Sequence, residues 1–121
     1  MPDKQIVMYV RSEFICPYVK IAERVLRKHE LPYREVDIDT DNEARQRVRA
    51  WTGFLSVPTI LISDGDSVVP YDMPAALPEG ASPRGVDRGT MISEPSGRQL
   101  EQWLEKHGLL PEKSLLNTDQ K

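Results

Sequence analysis

This sequence predicts an α/β domain built on a βαβ unit, and three observations carry the prediction. An uninterrupted apolar run, Ile6-Val7-Met8-Tyr9-Val10, has the form of a central strand covered on both faces. The segment after it repeats Val19, Ala22, Val25 and Leu26 at helical spacing, and Tyr33 to Asp39 then alternates in strand rhythm. Strand, helix and strand within about 30 residues make a parallel pair joined by a right-handed crossover.

A chain of 121 residues is long enough for one core and too short for two. An apolar fraction of 39% with 29% charged residues describes an ordinary soluble domain. A formal charge of -3 argues against a general nucleic-acid or anionic-membrane binder. No stretch is long and apolar enough to span a bilayer, and Met1 to Gln5 lacks the apolar core of a signal peptide, so a cytoplasmic protein is expected.

The first helix is expected from Pro17 to His29, with Pro17 at its first position, where a missing N–H costs nothing, and Cys16 as N-cap. Arg27, Lys28 and His29 favour its C-terminus, and Leu31-Pro32 stops it. His29 reads as a solvated end-of-helix residue. The second strand, Tyr33 to Asp39, leads to Thr40-Asp41-Asn42-Glu43, a capping-box pattern opening a helix with Ala44, Val48 and Trp51 on its buried stripe. Arg45, Arg47 and Arg49 fall on its other faces, and Gly53 caps its end. Val57 to Ile62 is a third strand whose proline, Pro58, lies at its tolerant start.

Ser63 to Asp66 is a turn, after which Ser67-Val68-Val69 can return as an antiparallel partner. From Pro70 to Gly89 the composition shifts to proline and glycine without periodicity. A connection of about 20 residues is a functional lid, a packed Ω-loop or a disordered insert. Thr90-Met91-Ile92 is either an extra strand or the fourth strand in place of Val68-Val69. The last helix begins at Ser96-Gly97-Arg98-Gln99, a second capping box, and buries Leu100, Trp103 and Leu104 before Gly108. Residues 1–108 therefore form one domain with an insert at 70–89. Residues 109–121 are a tail anchored by Leu109, Leu110, Leu115 and Leu116.

The chemistry centres on Arg11 to Lys20, RSEFICPYVK, which holds the single cysteine. A helix start leaves backbone N–H groups unpaired and carries roughly half a positive charge, so a sulfur there is favoured as thiolate over thiol. Arg11 and Lys20 add positive charge nearby in sequence. One cysteine cannot form an internal disulfide, and with two histidines it cannot close a four-ligand metal site. Disulfide or metal chemistry must recruit a second molecule.

The order β-α-β-α-β-β-α, a cysteine at the first strand-to-helix junction and a Val-Pro before the third strand together resemble the thioredoxin fold. Such a fold is a four-stranded mixed sheet with helices on both faces, here with a long insert before the last helix. Within it the resemblance is to glutaredoxins. Cys16-Pro17-Tyr18-Val19 resembles their CPYC site with valine in place of the second cysteine, and Thr52 to Pro58, TGFLSVP, resembles their TG-x-x-TVP segment with its cis proline beside the active sulfur. The segment CPYVKIAERVLRKHELPYREVDID is also similar to the N-terminal domain of glutathione transferases. That family needs a following helical domain, so a transferase in the full sense is not expected.

The resemblance implies a monothiol thiol-disulfide oxidoreductase that removes glutathione from protein mixed disulfides. It implies Cys16 as nucleophile, supported by Pro17, Tyr18 and Pro58. It also implies a glutathione groove formed by Tyr18 at its flank, the Val57 backbone, Pro58, Arg11 as the basic residue ending the first strand, Arg45 toward the glycine carboxylate, and Ser96-Gly97 toward the γ-glutamyl carboxylate. Glutathione or another low-molecular-weight thiol is the co-substrate, and glutathionylated protein thiols are the partners. A monomer is expected, with a dimer as the alternative. Rival readings are a glutathione-assisted iron-sulfur cluster carrier and a non-enzymatic binding module contacting partners through the insert.

Overall fold

The computed structural model describes residues 4–110. Its elements follow the order β1 (Lys4–Val10), α1 (Pro17–Lys28), β2 (Tyr33–Asp37), α2 (Asn42–Thr52), β3 (Thr59–Asp64), β4 (Met91–Ser93) and α3 (Gly97–Lys106). The four strands form one sheet in the order β2-β1-β3-β4. β1 runs parallel to β2, with Ile6 opposite Tyr33, and antiparallel to β3, with Ile6 opposite Ile62. β3 and β4 are antiparallel, Thr59 facing Ser93. This is a mixed-sheet α/β architecture of the thioredoxin type.

The apolar run at 6–10 is buried throughout because β1 is the central strand, with neighbours on both edges. Val19, Ala22, Val25 and Leu26 form the inner face of α1, and Leu100, Trp103 and Leu104 that of α3. The two helices approach closely at Gly97, where a Cβ would stand 3.6 Å from an Ile21 methyl and 3.7 Å from a Val25 methyl. α2 meets the sheet through Trp51, whose ring stands edge-on to Tyr9 at 5.4 Å.

The order of elements is as the sequence predicts, and several details differ. The N-cap of α2 is Asp41, which accepts from the Ala44 N–H, rather than Thr40. Thr40 is taken by β2, its hydroxyl bonding to the Asp37 carbonyl and carboxylate. Consequently β2 ends at Asp37, not Asp39. The inner face of α2 is Ala44, Val48 and Thr52, with Trp51 only half-buried. Gly53 closes that helix in the left-handed conformation, φ 78°, which glycine adopts without strain.

His29 is not solvated: its side chain is 9% exposed and its Nε2 lies 2.9 Å from Glu101 on α3. The fourth strand is Met91–Ser93, while Ser67–Val69 forms no strand, the edge of β3 away from β1 being taken by β4. Of the tail, Leu109 and Leu110 pack partly buried against the core, and Leu115 and Leu116 lie outside the described residues.

The insert is a packed loop. Arg88 donates to the Trp51 carbonyl at 2.7 Å and the Ala75 carbonyl at 3.0 Å, and Thr90 donates to the Asp72 carbonyl at 2.7 Å. Trp103 Nε1 and His107 Nε2 both donate to the Gly89 carbonyl, and Lys106 pairs with Asp87 at 2.6 Å. Arg84 bridges to Ser93 and Asp87 to Ile92, so the end of the insert runs along β4.

Candidate active site

Local sequence rules place Cys16. Pro17 cannot donate and its fixed φ suits the first turn, so the chain enters α1 with Cys16 as an extended N-cap, φ -110° and ψ 123°. The sulfur is half-buried, 3.5 Å from the Val57 carbonyl oxygen, to which the thiol donates. The Val57–Pro58 peptide bond is cis. Thr59 anchors this segment: its hydroxyl donates to the Ser56 carbonyl at 2.8 Å and contacts the Ser93 hydroxyl at 2.8 Å. The structure thus brings Cys16, Val57 and Pro58 together, with Pro17 and Tyr18 in the first turn beside them.

Arg11 and Arg45 form a second cluster. Arg11 Nε and Arg45 Nη1 reach the same oxygen of Asp39 at 2.9 and 3.2 Å. Burial opposes ionisation of Asp39, but the Glu13 N–H and the Arg11 guanidinium outweigh it and hold the carboxyl below its ordinary value. The loop from Ser12 to Ile15 is pinned to β2 by this cluster, through Ser12 N–H to Asp37 at 3.1 Å and Glu13 N–H to Asp39 at 3.0 Å. Pinning turns Phe14 and Ile15 outward next to Cys16, 51% and 80% exposed. With the Asp39 pairing, Arg45 is more than the solvated surface residue its helix position suggests. Arg47 is likewise engaged, donating to the Tyr9 hydroxyl at 3.0 Å.

Ser96 caps α3 in a full capping box: its hydroxyl accepts from the Gln99 N–H at 3.1 Å, and its own N–H donates to the Gln99 side chain at 2.8 Å. An anion reaching the Ser96 N–H must displace the Gln99 amide.

Two residues that sequence reasoning passed over complete the site. Arg84, from the insert, lays its guanidinium over the Tyr18 ring at 5.2 Å and bonds Glu94 at 3.2 Å. Glu94 follows β4 with φ 48°, unusual for a non-glycine residue, and its N–H donates to the Pro58 carbonyl at 2.8 Å. The Glu94 carboxylate raises the pKa of Arg84, and the Tyr18 and Cys16 groups act on it in the same direction. No period or motif in the insert marks Arg84. An apolar cleft of about 300 Å³, lined by residues including Ile6, Leu31, Tyr33, Ile62 and Leu109, lies at the other end of the sheet from Cys16.

A model of the glutaredoxin family matches residues 6–68, which run from β1 through the cysteine and the cis proline to the end of β3 and the turn after it. The chain belongs to the glutaredoxin family. No curated protein matches it. Glutaredoxins are in general thiol-disulfide oxidoreductases with glutathione as co-substrate. The matched part of this family member contains Cys16, Val57, Pro58, Arg11 and Arg45, while Arg84, Glu94 and Ser96 lie beyond it. No helix among the described residues is long and apolar enough to cross a membrane.

Proposed function

We propose that this chain is a monothiol thiol-disulfide oxidoreductase that transfers glutathione from protein mixed disulfides to free glutathione through Cys16. The observation that carries this reading is the sulfur at the N-cap of α1, 3.5 Å from the carbonyl of Val57 and next to cis Pro58. Once Cys16 loses its proton, the Val57 carbonyl loses its S–H donor and is free to accept an N–H from an extended ligand, in the manner of an added strand.

In the first step the Cys16 thiolate attacks the glutathione-side sulfur of the mixed disulfide. The S–S bond breaks, the protein sulfur leaves as thiolate and takes up a proton, and Cys16 carries glutathione. A second glutathione thiolate attacks that sulfur, forms glutathione disulfide and returns the Cys16 thiolate. Valine occupies position 19 and is buried, so no resolving sulfur lies in the first turn of α1. The incoming glutathione must do the resolving.

Tyr18 flanks the ligand. Arg11 and Arg45, sharing Asp39, offer their remaining donors to its glycine carboxylate. Ser96 and Gly97 offer the N-terminus of α3 to the γ-glutamyl carboxylate once Gln99 yields. The test is turnover of a glutathionylated peptide by excess glutathione. Activity that disappears in Cys16→Ser supports the proposal, and a wild type with no turnover overturns it.

A further inference from the structure

We propose that Arg84, carried by the insert, is the anion-recognising residue at Cys16, selecting disulfides and thiols that bear a carboxylate close to the sulfur, with Glu94 as its exchangeable counter-ion. This rests on the reading of Cys16 as a thiol-exchange nucleophile and is independent of which small thiol the protein uses.

Four features support it. The insert folds back along β4 through the Arg84–Ser93 bridge, which brings a cation from a distant part of the sequence to Tyr18, two residues after Cys16. The guanidinium rests on the ring of Tyr18, which puts a charged, planar donor group beside the helix turn that Cys16 caps. Among the described residues its one carboxylate partner is Glu94, at 3.2 Å, and the Arg84 side chain is 59% exposed. A guanidinium has five N–H donors and takes a carboxylate bidentately, so most of its capacity is available to a ligand. Finally, Glu94 is fixed from behind by its N–H bond to the Pro58 carbonyl, which keeps a carboxylate beside Arg84 until another replaces it. Exchanging one carboxylate for another avoids leaving the cation bare.

The experiment measures single-turnover reaction of Cys16 with two aromatic disulfides, the dianionic disulfide of thionitrobenzoate and the neutral dipyridyl disulfide. In each the Cys16 thiolate forms a new S–S bond, the probe's S–S bond breaks, and an absorbing thiolate or thione leaves with the electron pair. The readout is the ratio of anionic to neutral rates, which cancels any general change in the reactivity of the sulfur. Arg84→Gln lowers that ratio about three- to tenfold, the scale of one exposed charge acting on another a few ångströms away. Arg84→Lys retains part of the preference, and Glu94→Gln raises the ratio above wild type. An unchanged ratio in Arg84→Gln, or a lowered one in Glu94→Gln, overturns the proposal. An Arg84-dependent ratio in a protein that fails to turn over glutathionylated peptide refutes the choice of glutathione and upholds Arg84; the reverse result refutes Arg84 alone.

Discussion

Replacing Thr59 by valine tests how the reactive loop is held. The Thr59 hydroxyl is fully buried and joins the Ser56 carbonyl to the Ser93 hydroxyl, each at 2.8 Å, and so ties the segment carrying Val57 and Pro58 to β4. Valine keeps the shape and removes both bonds. A buried polar group left unpaired costs about 1–3 kcal/mol, and the added methyl returns about 1 kcal/mol. The Ser56 carbonyl and the buried Ser93 hydroxyl both lose this partner, at about 1.5 kcal/mol each, so after the methyl's return the net loss is about 2 kcal/mol. With a urea dependence of about 2 kcal/mol per molar, the unfolding midpoint falls by about 1 M, readable from the fluorescence of Trp51 and Trp103. Removing both hydroxyls is cheaper than the sum of the single losses, because no Ser93 hydroxyl is then left unpaired. In Thr59→Val/Ser93→Ala the coupling is about 1 kcal/mol. A midpoint shift below about 0.3 M, or strict additivity in the cycle, refutes the claim that this hydroxyl anchors the loop.

The other predictions concern the helix pair and the ligand carboxylates. The His29 hydrogen bond holds the Glu101 carboxyl below its ordinary 4.5, against the opposing effect of burial and with help from Lys28. Because the folded value is the lower one, this stabilisation is complete above the unfolded value and is lost as pH falls through the folded one. The difference in thermal midpoint between wild type and Glu101→Gln is therefore largest near neutrality and shrinks below about pH 5, while carboxylates common to both proteins cancel. At the site, Arg45→Gln raises the KM for glutathione about two- to fivefold, as expected for one half-exposed ion pair, with little change in kcat. A kcat loss with unchanged KM contradicts a role for Arg45 in ground-state binding.

Much of the fold was legible because short-range rules governed it. An apolar run with no polar break has one stable home, the centre of a sheet, and Ile6–Val10 is found there. Cys-Pro after a strand fixes the helix entry through the geometry of proline alone, and this entry places the sulfur. Gly53, Ser96 and Gln99 act through bonds within a few residues of themselves, and each does what its position suggests. Errors arose where two neighbours offered the same service. Both Thr40 and Asp41 can cap α2, and the choice is made by Asp37, which claims Thr40 from the preceding strand. His29 carried a helix-end signal that was correct for the backbone and silent about α3, whose Glu101 covers it.

The fourth strand and the Arg84–Glu94 pair were hidden for a different reason. Three residues give no period, and β4 is defined by what it pairs with on either side: β3 in the sheet and the returning insert outside it. Arg84 lies between a proline and a glycine in a stretch without rhythm, and only the fold of the loop reveals its nearness to Tyr18. Arg11 and Arg45, by contrast, could be placed by resemblance, but the buried Asp39 carboxylate that joins them comes from the turn after β2 and no motif marks it.

In the proposed mechanism a single sulfur, Cys16, carries glutathione between a protein and free glutathione. Its most direct test is to mix the protein with a glutathionylated peptide in the absence of free glutathione and to identify by intact mass what is bound to Cys16. The expected result is a Cys16–glutathione disulfide, released peptide thiol in matching amount, and regeneration only when glutathione is added. A Cys16–peptide disulfide, or an intermediate that also forms in Cys16→Ser, contradicts it.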